Sequence, residues 1–322
     1  MQYDFVPIPH RKQLKWPNGA RLAVIMTLNL EYWDLIKDTD APYYPGGPSI
    51  LPDPLPGNVA DLPNYTWREY GQRVGIWRLM DIFDRAGLPA SCTMNAKMAL
   101  ERRAVVDAVN ERGWELVAHN YVQTELLTEY ANAPDKEREI ILNTLKIYED
   151  TVGRPSRGWP SSSLRCTPNT SGILAEQGLI FHTDIMNDDQ PYLIHTEHGP
   201  IVSVPYSNEV NDFQIFLRRG MSTSQALELL KEQFDELYRE GADSGRLMNV
   251  GIHPHVWGHP FRVRAIREFL DYAKGFDGVW WAKREEIADW YLENRMVAIR
   301  TPDRIRTIRQ SHLLGANFLP AR

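Results

Sequence analysis

Short apolar runs recur along this chain, and a stretch patterned like a helix follows most of them. The first is 22–30 (LAVIMTLNL), bounded by Asn18-Gly19 and too short for a typical helix. Similar runs lie at 88–94, 114–119 (WELVAH), 179–184 (LIFHTD), 201–206 (IVSVPY), 247–253 (LMNVGIH) and 278–282 (GVWWA). In 67–85 the apolar residues Ile76, Leu79, Met80 and Phe83 recur at helical spacing, and Gly87 ends that helix. Helices are also expected over 135–151, 170–177, 222–240, 262–274 and 284–294. Strands that alternate with helices specify a parallel sheet wrapped by helices. About seven such units predict an α/β fold of the barrel type rather than an open sheet.

The repeat spans residues 1–296, read as a single domain. Segment 37–66, rich in proline and glycine, breaks it as a long loop near the active site, because loops of this length in compact domains are usually functional. The end, 297–322, is weakly patterned and reads as a tail, an arm or an oligomer contact. With 43% hydrophobic residues in 322, there is enough apolar material for a large core. The net charge of −6, without a Lys/Arg block, argues against nucleic acid or an anionic membrane as partner and leaves a small molecule. Cys92 and Cys166 form no CxxC pair. The start lacks a basic stretch followed by an apolar run, and no stretch approaches the ~18 apolar residues of a membrane helix, so the expected compartment is the cytoplasm.

In a parallel α/β barrel the carboxyl ends of the strands converge on one face, where active sites lie. The polar residues at those ends are therefore the candidates. Asn29 and Glu31 are separated by one residue and share a face of the first strand. His119 ends the next candidate, with Asn120 and Gln123 behind it. Trp159 to Ser163 open a mid-chain loop, Asp184 follows LIFHT, Asn211-Asp212 follow IVSVPY, and His253 and His255 end LMNVGIH. Ser161–Ser163 lack a Gly-x-Ser-x-Gly elbow, which excludes a serine nucleophile of that type. Arg73 offers paired donors to a carboxylate or imide carbonyl, although it lies one turn from Glu69 and an ordinary ion pair competes. His255 and His259 are expected to be surface or loop-packing residues.

An acidic end to the first strand, His119 with a possible ligand at Gln123, the mid-chain Pro160 loop, Asp184 and a final strand-end His253 together resemble the NodB-type polysaccharide deacetylases. Further segments are similar to the allantoinase-like branch: Glu69-Tyr70-Gly71-x-Arg73-x-Gly75-x-Trp77-Arg78, Gly158-Trp159, Pro168-Asn169-Thr170, Asp188-Asp189-x-Pro191-Tyr192, Pro205-Tyr206 and His253-Pro254-x-x-x-Gly258-x-Pro260-x-Arg262. Their order along one chain is more specific than any one of them. The resemblance implies a distorted, incomplete (β/α) barrel and a hydrolase of non-peptide carbon–nitrogen amide bonds. It further implies ring opening of a small cyclic ureide or imide, and a homo-oligomer.

Two departures from the family pattern bear on the chemistry. Asn29, Glu31 and Tyr32 stand where two aspartates are usual, and Gln123 stands in place of a second histidine. Glu31, His119 and Gln123 are thus a candidate ligand set for one divalent metal, Zn2+ first; equally, the site has lost its metal and Glu31 acts alone as general base. In both versions Glu31 and His253 are the catalytic pair, and Arg73, Trp159, Asp184 and Asn211 are the expected substrate contacts. Two alternatives remain: a metal-dependent N-deacetylase of amino sugars or chitooligosaccharides, and a non-catalytic binding member.

Overall fold

Every residue of the strand Leu22–Leu30 (β1) is buried, as an unalternating apolar run requires when both faces are covered. The computed structural model describes residues 2–36, 47, 49–51 and 55–299. The other strands are Ser91–Met94 (β2), Glu115–Ala118 (β3), Gly158–Trp159 (β4), Phe181–His182 (β5), Tyr192–Thr196 (β6), Gly199–Ser203 (β7), Arg246–Ile252 (β8) and Val279–Trp281 (β9). One sheet runs β3-β2-β1-β8 and is parallel throughout. On the β2 side of β1, β9 pairs with the first residues, Leu22–Val24, and β2 with the last, Thr27–Leu30.

A second sheet runs β4-β5-β7-β6, parallel except for the hairpin that adds β6 antiparallel to β7. An isolated parallel bridge joins Asn211 to Gly251 of β8. The two sheets curve into an incomplete barrel and do not close into one, as expected for a distorted (β/α) barrel. The strand count exceeds the expected seven because β4 and β6 carry little pattern: one is two residues long and the other is a half-exposed edge. Helices Ala96–Glu101 and Arg103–Glu111 were also unforeseen. The non-helical backbone of Arg102 (φ −132°, ψ 47°) divides them, so each is short.

The loop expected over 37–66 ends earlier than its pattern suggested. Asp61 caps a helix over Leu62–Tyr70 by accepting the Asn64 N–H, and that helix passes through a π-turn at Gly71–Gly75 into Ile76–Ala86. Residues 37–46, 48 and 52–54 of the loop lie outside the described residues, as do residues 300–322 of the expected tail. The helix Arg284–Ile299 runs into the start of that tail.

The glycines of the π-turn have a packing cause. A Cβ on Gly75 would lie 2.1 Å from the Pro254 carbonyl oxygen, and one on Gly71 would lie 2.5 Å from the His255 nitrogen. Only glycine lets this helix press against the backbone that follows β8, and that contact braces His253 from behind. Gly75→Ala is therefore expected to destabilise the fold by about 1–3 kcal/mol, because the obstructing atoms are backbone and cannot swing aside. A urea midpoint unchanged from the parent protein would refute this account of the motif.

Candidate active site

Glu31 leaves the end of β1 with its carboxylate 95% buried, and strand-end histidines approach it from two sides. Glu31 Oε1 lies 3.3 Å from His253 Nε2 and 3.7 Å from His119 Nε2. Its other oxygen, Oε2, is buried and has no hydrogen-bond partner among the described residues. Burial works against the ionised carboxyl, but the charge of His253 and the polar contacts with both rings outweigh it and bring the group down to about 2.

His253 follows β8 and is clamped by Asp212. Its ring Nδ1 lies 2.6 Å from Asp212 Oδ1, and its backbone N–H donates to Asp212 Oδ2 at 2.6 Å. Phe213 stacks flat on the ring, 3.9 Å between centroids and 10° between planes. Burial disfavours the imidazolium, yet Asp212 and Glu31 on opposite nitrogens hold the ring up at about 10. The stacked Phe213 face adds cation–π stabilisation. For Asp212 the balance differs: burial pushes its carboxyl up despite the His253 charge. These three groups act as one unit that carries a proton on the ring.

His119 is held by the mid-chain loop. Its Nδ1 lies 2.9 Å from the Pro160 carbonyl oxygen, which can only accept, so Nδ1 carries hydrogen. Its Nε2 then faces Gln123 Oε1 at 2.9 Å and Glu31 Oε1 beyond. Three acceptor atoms that face one another need a proton, a bound cation or a turned-over Gln123 amide among them. Glu31 Oε1, His119 Nε2 and Gln123 Oε1 as a donor set fit one divalent ion, the amide oxygen being its weak member. Another group of metal-ligating side chains, Cys166, His182 and Asp184, has donor atoms within 4.8 Å of one another. Internal hydrogen bonds already engage it: His182 Nε2 meets Asp184 Oδ2 at 2.8 Å, and Ser171 Oγ meets His182 Nδ1 at 3.0 Å.

A cavity of about 350 Å3 opens over Glu31, His119 and His253. Asn29, Gln123, Asn208, Asn211 and Gln214 line it with amides, and Gly47 from the 37–66 segment reaches its wall. A larger groove of about 510 Å3 runs along the N-terminal segment and Tyr192, and none of these catalytic candidates lines it.

The structure thus brings Glu31, His119, Gln123, Asn211 and His253 together, but not the other three candidates. Arg73 points outward from the π-turn, 72% exposed, and pairs with Glu69 at 3.8 Å; the competing ion pair is what forms. Trp159 is wholly buried in the core, and its indole donates to Ser161 Oγ, so the ring has no face toward the cavity. Asp184 is buried behind the loop, where Oδ1 accepts the Ser161 N–H at 2.6 Å. It positions Pro160–Ser163 rather than touching substrate. Asn211 lines the cavity, with its amide donating to the Tyr206 hydroxyl at 2.7 Å.

His255 is a packing residue but not a surface one. It is buried among Trp33, Trp67 and Phe213. His259 stacks on Tyr70. Sequence reasoning noted Asp212 without giving it a role and missed Phe213. The adjacent acid and aromatic after IVSVPY were the available signal.

Comparison with known proteins bears on the fold. No protein-family model matches the chain. A Schizosaccharomyces pombe protein, provisionally named a polysaccharide deacetylase, is 27% identical over 85% of this chain and 91% of its own. A Pseudomonas aeruginosa PAO1 structure with a similar provisional description is 29% identical with a TM-score of 0.79, over 88% of this chain and 95% of that one. PuuE allantoinase is 28% identical with a TM-score of 0.78, over 88% and 94%. The chain has the polysaccharide-deacetylase (NodB) fold, and its structural neighbours include an allantoinase. Among the described residues no helix is long and apolar enough to cross a membrane.

Proposed function

We propose that this chain is a hydrolase of non-peptide carbon–nitrogen bonds that opens a small cyclic ureide or imide. One observation carries the reading: the Glu31 carboxylate stands 3.3 Å from the His253 imidazole at the floor of a cavity. At neutral pH the base is deprotonated and the acid is loaded, as amide hydrolysis needs. A water at the Glu31 carboxylate gives up a proton as its oxygen bonds to the ring carbonyl carbon. The carbon–nitrogen bond then breaks, its electron pair leaves on nitrogen, and nitrogen takes the His253 proton. Glu31 Oε1 faces His253 Nε2, so the captured proton can return to the imidazole and reset the pair. The net change is one water added across the bond, giving a carboxylic acid and a freed nitrogen.

The cavity supports a small substrate, since about 350 Å3 suits a single ring and its amides offer donors to ring carbonyls. The allantoinase neighbour supports the same class. Glu31, His119 and Gln123 would hold a divalent ion, zinc first, which would supply Lewis-acid polarisation of the carbonyl. With only two strong donors, zinc is expected to bind weakly, and Gln123→His to bind it more tightly because imidazole replaces an amide. Competition with a chelator measures this, and a weaker-binding Gln123→His protein would remove Gln123 from the ligand set.

The provisional names of the two deacetylase relatives favour a second reading, N-deacetylation of amino sugars. Acetate release from N-acetylglucosamine oligomers, with no ring opened, would select it.

A further inference from the structure

We propose that the substrate ring carries a carboxylate, held at the cavity mouth by Arg165 and Arg218; this rests on the ring-opening reading and narrows its substrate class. Both arginines line the cavity and are exposed, and among the described residues neither has an acidic partner. Their neighbourhood makes this unusual. The chain as a whole is acidic, at −6, and the adjacent Arg219 is neutralised by Glu209. Among the described residues the only carboxylate that lines the cavity is Glu31, which already faces His253 and His119. Among the described residues the mouth therefore carries two positive charges without an acidic partner, over a floor whose negative charge is engaged. Such a mouth attracts anions and fixes a carboxylate through the guanidinium fork.

Both arginines stand on backbone shaped to present them. Arg218 closes a π-turn over Phe213–Arg218, in which residues five apart come into line. Phe213 against the catalytic imidazole and Arg218 at the rim therefore share one side of the cavity. Arg165 follows Ser163 and Leu164, both in the left-handed region at φ 56° and 57°. That conformation costs about 1–3 kcal/mol per residue for side chains of this kind. The surroundings hold the turn in place: Asp184 accepts the Ser161 N–H, Asn120 accepts the Ser162 N–H at 3.1 Å, and the Ser162 hydroxyl donates to the Val122 carbonyl at 3.2 Å. Loop and π-turn thus each bring one cation to the cavity.

Hydantoin and hydantoin-5-acetate share a ring and differ by one carboxymethyl group. The full chain is expected to open the acid-bearing ring with kcat/KM about 10–100-fold higher, the gain lying mainly in KM. In Arg165→Gln/Arg218→Gln the ratio between the two rings should fall toward one, and added salt should erode it in the parent. The Lys/Lys counterpart should keep most of the preference, which a merely structural role would not require. A parent ratio at or below one, or a ratio unchanged in the Gln/Gln variant, would overturn the proposal while leaving ring opening intact.

If neither ring is opened, the ring-opening reading fails and calorimetry decides the anion site by itself. The probe is N-carbamoylaspartate, the opened form of hydantoin-5-acetate. Binding that is lost in Gln/Gln supports the site, and no binding to the parent overturns it.

Discussion

Glu31→Gln is expected to lower kcat for ring opening by about 10^2–10^4-fold while KM moves little. The amide keeps the volume of the carboxyl but cannot take a proton from water. The variant should also leave a signature elsewhere. His253 sits between two carboxylates, so removing one should lower its pKa from about 10. The His253 ring resonances, followed by NMR across pH, read this directly. A kcat unchanged in Glu31→Gln would assign the base to another group. A His253 titration that does not move would mean that the two side chains are not coupled.

The second large effect belongs to His253. His253→Gln should lose about 10^2–10^4-fold in kcat, most severely for rings whose departing nitrogen is strongly basic and needs a proton as it leaves. The parent pH profile follows from the same pair. Activity needs Glu31 ionised and His253 protonated, so kcat/KM should be flat through the neutral range. It should fall as pH rises through about 10, where the imidazole loses its proton. On the acid side the fall belongs near 2, where Glu31 gains one. Asp212→Asn removes a carboxylate that holds the ring proton, so the alkaline limb should shift to lower pH. An alkaline limb unmoved in that variant would remove Asp212 from the acid machinery.

Much of this site was legible because strand ends announce themselves. LAVIMTLNL, WELVAH and LMNVGIH are apolar runs that stop at polar residues, and in a parallel barrel these stops converge. Glu31, His119 and His253 were found in that way. The failures have physical causes as well. Arg73 lies between glycines that serve close backbone packing, and the π-turn they allow faces its side chain outward. Trp159 does end a strand, but Ser161 holds its indole inside the core. Asp184 is used by His182 and the Ser161 amide, a partnership between segments that no local pattern reveals. Arg165 was invisible because its presentation depends on two left-handed residues, neither of them glycine.

His119 and Gln123 mark where chemistry outruns pattern. A histidine whose Nδ1 is tied to Pro160 must present Nε2 to Gln123 and Glu31, whatever occupies the space among them. The mid-chain loop therefore holds the floor of the cavity: Asp184 accepts the Ser161 N–H, Pro160 accepts from His119, and His119 flanks Glu31. Asp184→Asn is the gentlest way to loosen that sequence of contacts without touching the acid–base pair.

The most direct test of the central claim is turnover of allantoin, hydantoin, hydantoin-5-acetate and succinimide by the purified chain, with Glu31→Gln as the control. The account predicts that the parent opens at least one of these rings and that the variant does so far more slowly. No ring opened, together with acetate released from N-acetylglucosamine oligomers, would contradict it.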